Sequence, residues 1–236
     1  MTYVRKQFTG SVQSVKQVDV VFVVYRPVSL KAATRLKRGK GMRIRVEGKR
    51  KLPRNWHQFL QEDGNKRELF NLLNDHVKAE LFPGLVVMTR EEEPRCSEEL
   101  SPCTHEEGDT RMLLHAADGV RQGYKRILLR TVDTDVVVLA ISVANKLGCE
   151  RLTVAFGTGN AVRYLDATAM AHVLGNNKCK ALPAFHALTG CDTKSSFLGR
   201  GKRTAWVLWN GFAEVTPALC TLTQTPSALQ IGENSP

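Results

Sequence analysis

The sequence predicts an α/β fold, and three observations predict it. A near-continuous β-branched and aromatic run, VDVVFVVY at residues 18–25, has the character of a strand buried on both faces of a parallel sheet. Apolar residues at helical spacing, Leu69, Phe70, Leu72, Leu73 and Val77, run through residues 56–77. Farther along, ILLRTV, VVVLAISVANKLG and LTVAF stand in the order strand, helix, strand, which is the βαβ unit of parallel sheets.

Each element follows from local signals. Pro27 ends the first strand, and residues 29–38 can form a basic helix that Gly39 and Gly41 break, leaving a loose polar stretch to Arg54. Residues 56–77 read as one or two helices with Gly64 as the interruption. Residues 85–89 (LVVMT) form a short strand, and the acidic, proline-containing residues 91–101 an exposed loop. Thr104 and Glu107 have capping-box spacing at the start of a helix whose apolar face is Met112, Leu113, Ala116, Ala117 and Val120 and which Gly123 closes. The strand at 127–132 runs into Asp133 and Asp135, the helix after it ends at Gly148, and 152–156 is a strand. Helices are expected at 167–174, 182–188 and around 204–209, with a loop at 190–201. From Thr216 the composition turns Ser/Thr/Pro/Gln-rich, the mark of a loose tail.

At 236 residues and 42% hydrophobic, the chain is long enough for one domain with a sizeable core. No apolar run approaches the roughly 20 residues of a membrane span, and MTYVRKQFTG lacks the apolar centre of a signal peptide, so the expectation is an intracellular protein with no membrane. Six cysteines without a CxxC pair argue against a zinc ribbon or a disulfide framework and for reduced thiols. The net charge of +11 is concentrated. Residues 31–54 hold eleven Lys or Arg against Glu47 alone, a net +10. Such a run fits a phosphate backbone, a nuclear-import signal or a plain solvated loop.

Three acidic clusters carry the chemistry: HEEGD with Glu106, Glu107 and Asp109, TVDTD with Asp133 and Asp135, and TGCDT with Asp192. Hard divalent cations such as Mg²⁺ and Mn²⁺ take oxygen ligands, and two of them about 4 Å apart can clamp a phosphodiester. Asp133 and Asp135, two apart on a strand, would point to one side. The plainer reading makes Asp135 the N-cap of the next helix with Asp133 facing water, Glu107 a capping-box residue and Asp192 a turn cap. His105, His115, His172 and His186 lack metal spacing and read as structural. GTGN at 157–160 lacks the lysine of a P-loop, so nucleotide hydrolysis is not expected.

Taken in order, these motifs resemble a family. EEGDTRMLLHA resembles the acidic helix start of flap endonucleases and related PIN-like, structure-specific (XPG-type) nucleases. TVDTDVVVL is similar to their strand ending in Asp-x-Asp, and LTGCDTKSSFLGRGKRTA to their Gly-Cys-Asp segment followed by a helix-hairpin-helix with a Gly-x-Gly turn. The agreement covers residues 104–206. Upstream, VVFVVYRPVSLKAATRLKR resembles the family's Val-Phe-Asp strand and basic helix, with Val23 where the family has Asp. The resemblance implies a PIN-like Rossmannoid parallel sheet flanked by helices, a single domain over 1–215 that starts after the family's first strand, an arch-like basic segment at 29–56, a helix-hairpin-helix-like element at 190–210, and a tail at 216–236. It implies Glu107, Asp109, Asp133, Asp135 and Asp192 as catalytic metal ligands for two Mg²⁺ or Mn²⁺ ions. It further implies a nuclear nuclease acting on branched or single-stranded DNA, or on RNA, held by Lys31, Arg35, Lys37, Arg38, Lys40, Arg43, Arg45 and the turn Gly199, Arg200, Gly201, Lys202, Arg203. A catalytically inactive nucleic-acid-binding module of the same fold is the alternative.

Overall fold

The computed structural model describes residues 15–21, 41–48, 51, 53–79, 85–88, 108–190 and 201–223. It is mixed α/β, and the chain divides into two compact units, Met1–Arg111 and Met112–Pro236.

In the first unit, β1 (Gln17–Val20) pairs in parallel with β2 (Leu85–Met88), Gln17 opposite Leu85 and Val20 opposite Met88. β1 is half-buried along its length rather than buried on both faces. Residues 22–25 of the expected strand and the expected helix at 29–38 lie outside the described residues.

The helical region is two helices, α1 (Trp56–Leu60) and α2 (Asp63–Ala79). Asn55 caps α1 by accepting from Gln58 N at 3.0 Å, and Trp56 stacks on the buried Phe59 with ring centroids 5.1 Å apart. The break falls at Gln61 and Glu62, not at Gly64, which sits inside α2.

The stretch read as loose is pinned at 41–46. Asn65, fully buried on α2, donates to Met42 O at 2.7 Å and Phe59 O at 2.9 Å and accepts from Ile44 N at 2.9 Å and Arg43 Nη1 at 3.0 Å. One turn along, Glu68 accepts from Val46 N at 2.9 Å and pairs with Arg43. Gly41 is required by close approach, since a Cβ there would lie 2.5 Å from Gln58 O.

The second unit begins within α3 (Gly108–Arg121), whose closing turn uses Gly123 at φ 90° as the composition suggests. Then come β3 (Arg126–Thr131), α4 (Thr134–Leu147), β4 (Arg151–Phe156), β5 (Arg163–Asp166), α5 (Ala167–Leu188), α6 (Lys202–Gly211) and α7 (Val215–Leu222). The sheet order is β3-β4-β5, with β3 and β4 parallel and β5 antiparallel. The βαβ unit is therefore present, but the sheet is mixed: β5 returns along β4, pairing Tyr164 with Ala155.

α4 ends at Gly148 in the left-handed region, φ 79°, and buries Val136, Ala140, Ile141 and Ala144 along one stripe. α5 is two helical pieces on either side of a kink, so the expected helix at 167–174 ends where the sequence placed it, and the piece expected at 182–188 is longer and starts just after the kink. Its interior is non-helical at Gly175, φ 76° and ψ 160°. Of the residues expected to be loose from Thr216, 216–222 form the body of α7, because Leu219 is buried in the core and Thr216 Oγ1 accepts the Trp209 indole N–H at 2.9 Å, and 224–236 lie outside the described residues. Trp209 in turn stacks on Phe185, centroids 4.7 Å apart.

Leu152 and Val154 on β4 are wholly buried at the centre of this unit. Leu152→Ala removes three carbons from a site with no exposed surface, and is expected to cost about 2–5 kcal/mol in urea denaturation. A loss under about 1 kcal/mol would mean that the core collapses around the site.

Candidate functional site

β3 stops at Thr131, whose hydroxyl accepts from Asp133 N at 3.0 Å. This contact turns the chain out of the ladder with Asp133 still extended, φ −96° and ψ 129°. Asp133 is then the N-cap of α4, accepting from Asp135 N at 2.9 Å. Asp135 lies in the first helical turn. The two carboxylates thus do not share one side of a strand, because Asp135 is already helical, and the cap is Asp133 rather than Asp135. They sit together at the carboxyl end of a parallel strand, where ligand sites of such sheets form. The α4 dipole favours negative charge at this position, which offsets part of their mutual repulsion.

Asp135 has a partner that spacing does not foretell. Its Oδ1 lies 2.8 Å from His186 Nε2, on the last turns of α5, 51 residues later. The His186 side chain is 14% exposed against 39% for Asp135, so the ring is the inner member of the pair. Around it, the end of α5 is closed by Lys202. The Lys202 ammonium donates to His186 O at 3.0 Å, to Thr189 Oγ1 at 3.3 Å and to Gly190 O. A cation on the last carbonyls of a helix satisfies acceptors that the helix leaves open. Gly201 precedes α6 as its N-cap, and Arg203 is exposed in the first turn.

No protein-family model, curated protein or solved structure matches this chain. The site therefore rests on its own geometry.

Of the expected ligands, Asp133 and Asp135 stand at the turn from β3 into α4. Asp109 is half-buried in the first turn of α3 and belongs to the first unit. Glu107 and Asp192 lie outside the described residues, as does Val23. Among the described residues, no group of three or more His, Cys, Asp or Glu is arranged to hold a metal ion. The Asp133 and Asp135 oxygens fit a hard divalent cation in donor type, and they are two where such an ion takes about six ligands, water included.

On the basic segment, Lys31, Arg35, Lys37, Arg38 and Lys40 are outside the described residues, as are Gly199 and Arg200 on the glycine-rich turn. Arg43 is occupied by Glu68, and that contact raises the guanidinium pKa and, with the Val46 amide, holds the Glu68 carboxyl below its ordinary value. Arg43 is thus an anchor for residues 42–46 as well as a surface cation. Arg45 is highly exposed, 3.6 Å from Glu47. The described cysteines, Cys149, Cys179 and Cys220, are free, and burial pushes the Cys179 thiol up. Among the described residues no helix is long and apolar enough to cross a membrane.

His186, Lys202 and Asn65 were the residues whose roles the sequence hid. His186 carries no helical-spacing partner and Lys202 reads as a phosphate contact. Asn65 is one polar residue among many on α2.

Proposed function

We propose that this chain is a divalent-metal-dependent, structure-selective nuclease that hydrolyses DNA phosphodiesters, with Asp133 and Asp135 as the core of its metal site. The observation that carries this reading is the position of those two acids, cap and first turn of α4, at the carboxyl end of the parallel strand β3. The ion would be Mg²⁺ or Mn²⁺, with Asp192 as the further ligand that the resemblance implies. Bound there, such an ion supplies Lewis-acid charge to the scissile phosphodiester. The protein's share is to hold the two carboxylates at the strand-to-helix turn, and to bind DNA through the exposed Arg203 in the first turn of α6 and, on the other unit, the basic residues 31–54.

A second reading is favoured by a specific observation. Asp133 already caps α4 and Asp135 already pairs with His186, so both acids have work without a metal. On that reading the chain is a nucleic-acid-binding module without catalysis. Incubation with flap, gapped and single-stranded DNA in Mg²⁺ or Mn²⁺ separates the two. The nuclease reading expects cleavage by the natural chain and its loss in Asp133→Asn, Asp135→Asn. DNA binding with a steep salt dependence but no cleavage of any substrate would establish the second reading instead.

A further inference from the structure

We infer that the face of the β3-β4-β5 sheet turned away from α4 and α5 binds a single strand of nucleic acid, with Tyr164 stacking on a base and Arg126 and Arg151 meeting phosphates. The inference rests on the nucleic-acid part of the reading above and not on a metal. Side chains alternate along a strand, and on β4 the alternate residues Leu152 and Val154 are the ones wholly buried among the side chains of α4 and α5. The register then fixes what the other face carries. Arg126 stands opposite Arg151, Leu128 opposite Thr153, and Tyr164 opposite Ala155. All of them belong to the second unit.

Tyr164 is 71% exposed and Leu128 53%, so an aromatic ring and an aliphatic side chain stand in water on one face. Two arginines in direct register across neighbouring strands also repel one another. Asp166, 3.5 Å from Arg151 Nε, offsets part of that repulsion, but its carboxylate is shared with the start of α5, where it accepts from Ala169 N at 2.9 Å. Both arginines remain exposed.

These properties select the occupant. A second copy docked face to face would set arginine against arginine. An apolar protein surface would strip water from the guanidinium groups and return no acceptor. A nucleic-acid strand supplies phosphates to the arginines and π faces to the tyrosine, and bases of any sequence stack on an aromatic ring. Tyr164 and β3 are two strand spacings apart, about 10 Å, so a short segment reaches both. A duplex keeps its bases stacked and paired, out of reach of the ring, so the fit is to a single strand.

Fluorescence anisotropy of a labelled oligothymidylate titrated with the full chain in EDTA, which keeps the strand intact, tests this, with the melting temperature of each variant measured alongside. Tyr164→Ala is expected to weaken binding about 5–150-fold, the cost of losing one stacked base, at an unchanged melting temperature because the ring is mostly in water. Tyr164→Trp should bind at least as tightly as the natural chain. Joint Arg126→Gln and Arg151→Gln substitution should lower the slope of log affinity against log salt by about 1.4, the share of two phosphates on a single strand. If Tyr164→Ala holds the strand as tightly as the natural chain does, the inference falls and the nucleic-acid reading stands on Arg203 and residues 31–54. Equal affinity for a duplex, weakened to the same degree by Tyr164→Ala, also overturns it, since the face then makes no selection for a single strand. Dimerisation of the natural chain that Tyr164→Ala abolishes would assign the face to a second copy instead. Absence of oligonucleotide binding by the natural chain overturns the nucleic-acid reading, and the inference with it.

Discussion

Asn65→Leu is expected to destabilise the first unit by about 2–4 kcal/mol, although the replacement is apolar and close in volume. The side chain has no exposed surface and meets all four of its partners: two carbonyls, a backbone amide and a guanidinium. A leucine offers none of these. Each buried group left unpaired costs about 1–3 kcal/mol, and the total stays below the sum because residues 42–46 can lift and rehydrate part of the set. Asn65→Asp makes a sharper comparison. It keeps the acceptor for Ile44 N and Arg43 but faces Met42 O and Phe59 O with an oxygen instead of a donor. It too should be destabilising. Glu68→Gln, by contrast, changes a contact between side chains 49% and 36% exposed, where solvent screens the charge and little stability is at stake. Thermal or urea denaturation ranks the three variants, and hydrogen exchange at the Ile44 amide reports whether the segment has lifted. An Asn65→Leu chain as stable as the natural one would show that the 41–46 segment is not part of the cooperative unit.

The elements legible in the sequence are those whose signal is local. β3, α4 and β4 follow from apolar runs punctuated by Asp133 and Gly148, and their arrangement as a βαβ unit follows from their order. β5 escaped notice for the opposite reason. Its four residues, RYLD, carry a charge at each end, and Arg163 and Tyr164 are exposed. What makes it a strand is the neighbouring ladder of β4, which no local pattern encodes. α7 was hidden in the same way, since its Thr and Pro content speaks for a tail while Val215, Leu219, Cys220 and the Thr216 hydroxyl dock it on the core. The acid pair shows how spacing can mislead. Two residues apart means one side on a strand, but cap and first turn at a helix start, and only the Thr131 hydroxyl decides between them. His186 lies beyond any such reasoning because its partner is 51 residues away.

Asp133 has two separable duties on the proposed reading, and two substitutions pull them apart. Asp133→Asn keeps an oxygen able to accept from Asp135 N, and asparagine is as good an N-cap as aspartate. Its effect on stability should be a few tenths of a kcal/mol, mostly from the lost charge at the α4 N-terminus. Its effect on a metal should be severe, because a neutral amide oxygen replaces an anion in a site built from carboxylates. Mn²⁺ affinity should drop by more than the roughly 10–100-fold that outer-shell partners command. Asp133→Ala removes cap and ligand together. It should cost about 1 kcal/mol in stability while binding metal no better than the asparagine variant. Serine restores the cap alone, so Asp133→Ser should recover stability and leave affinity lost. This pattern, in which stability follows the capping oxygen and affinity follows the charge, is what a metal ligand at a helix start requires. If affinity instead survives in Asp133→Asn, Asp133 is a cap and nothing more, and it is not a ligand of the metal.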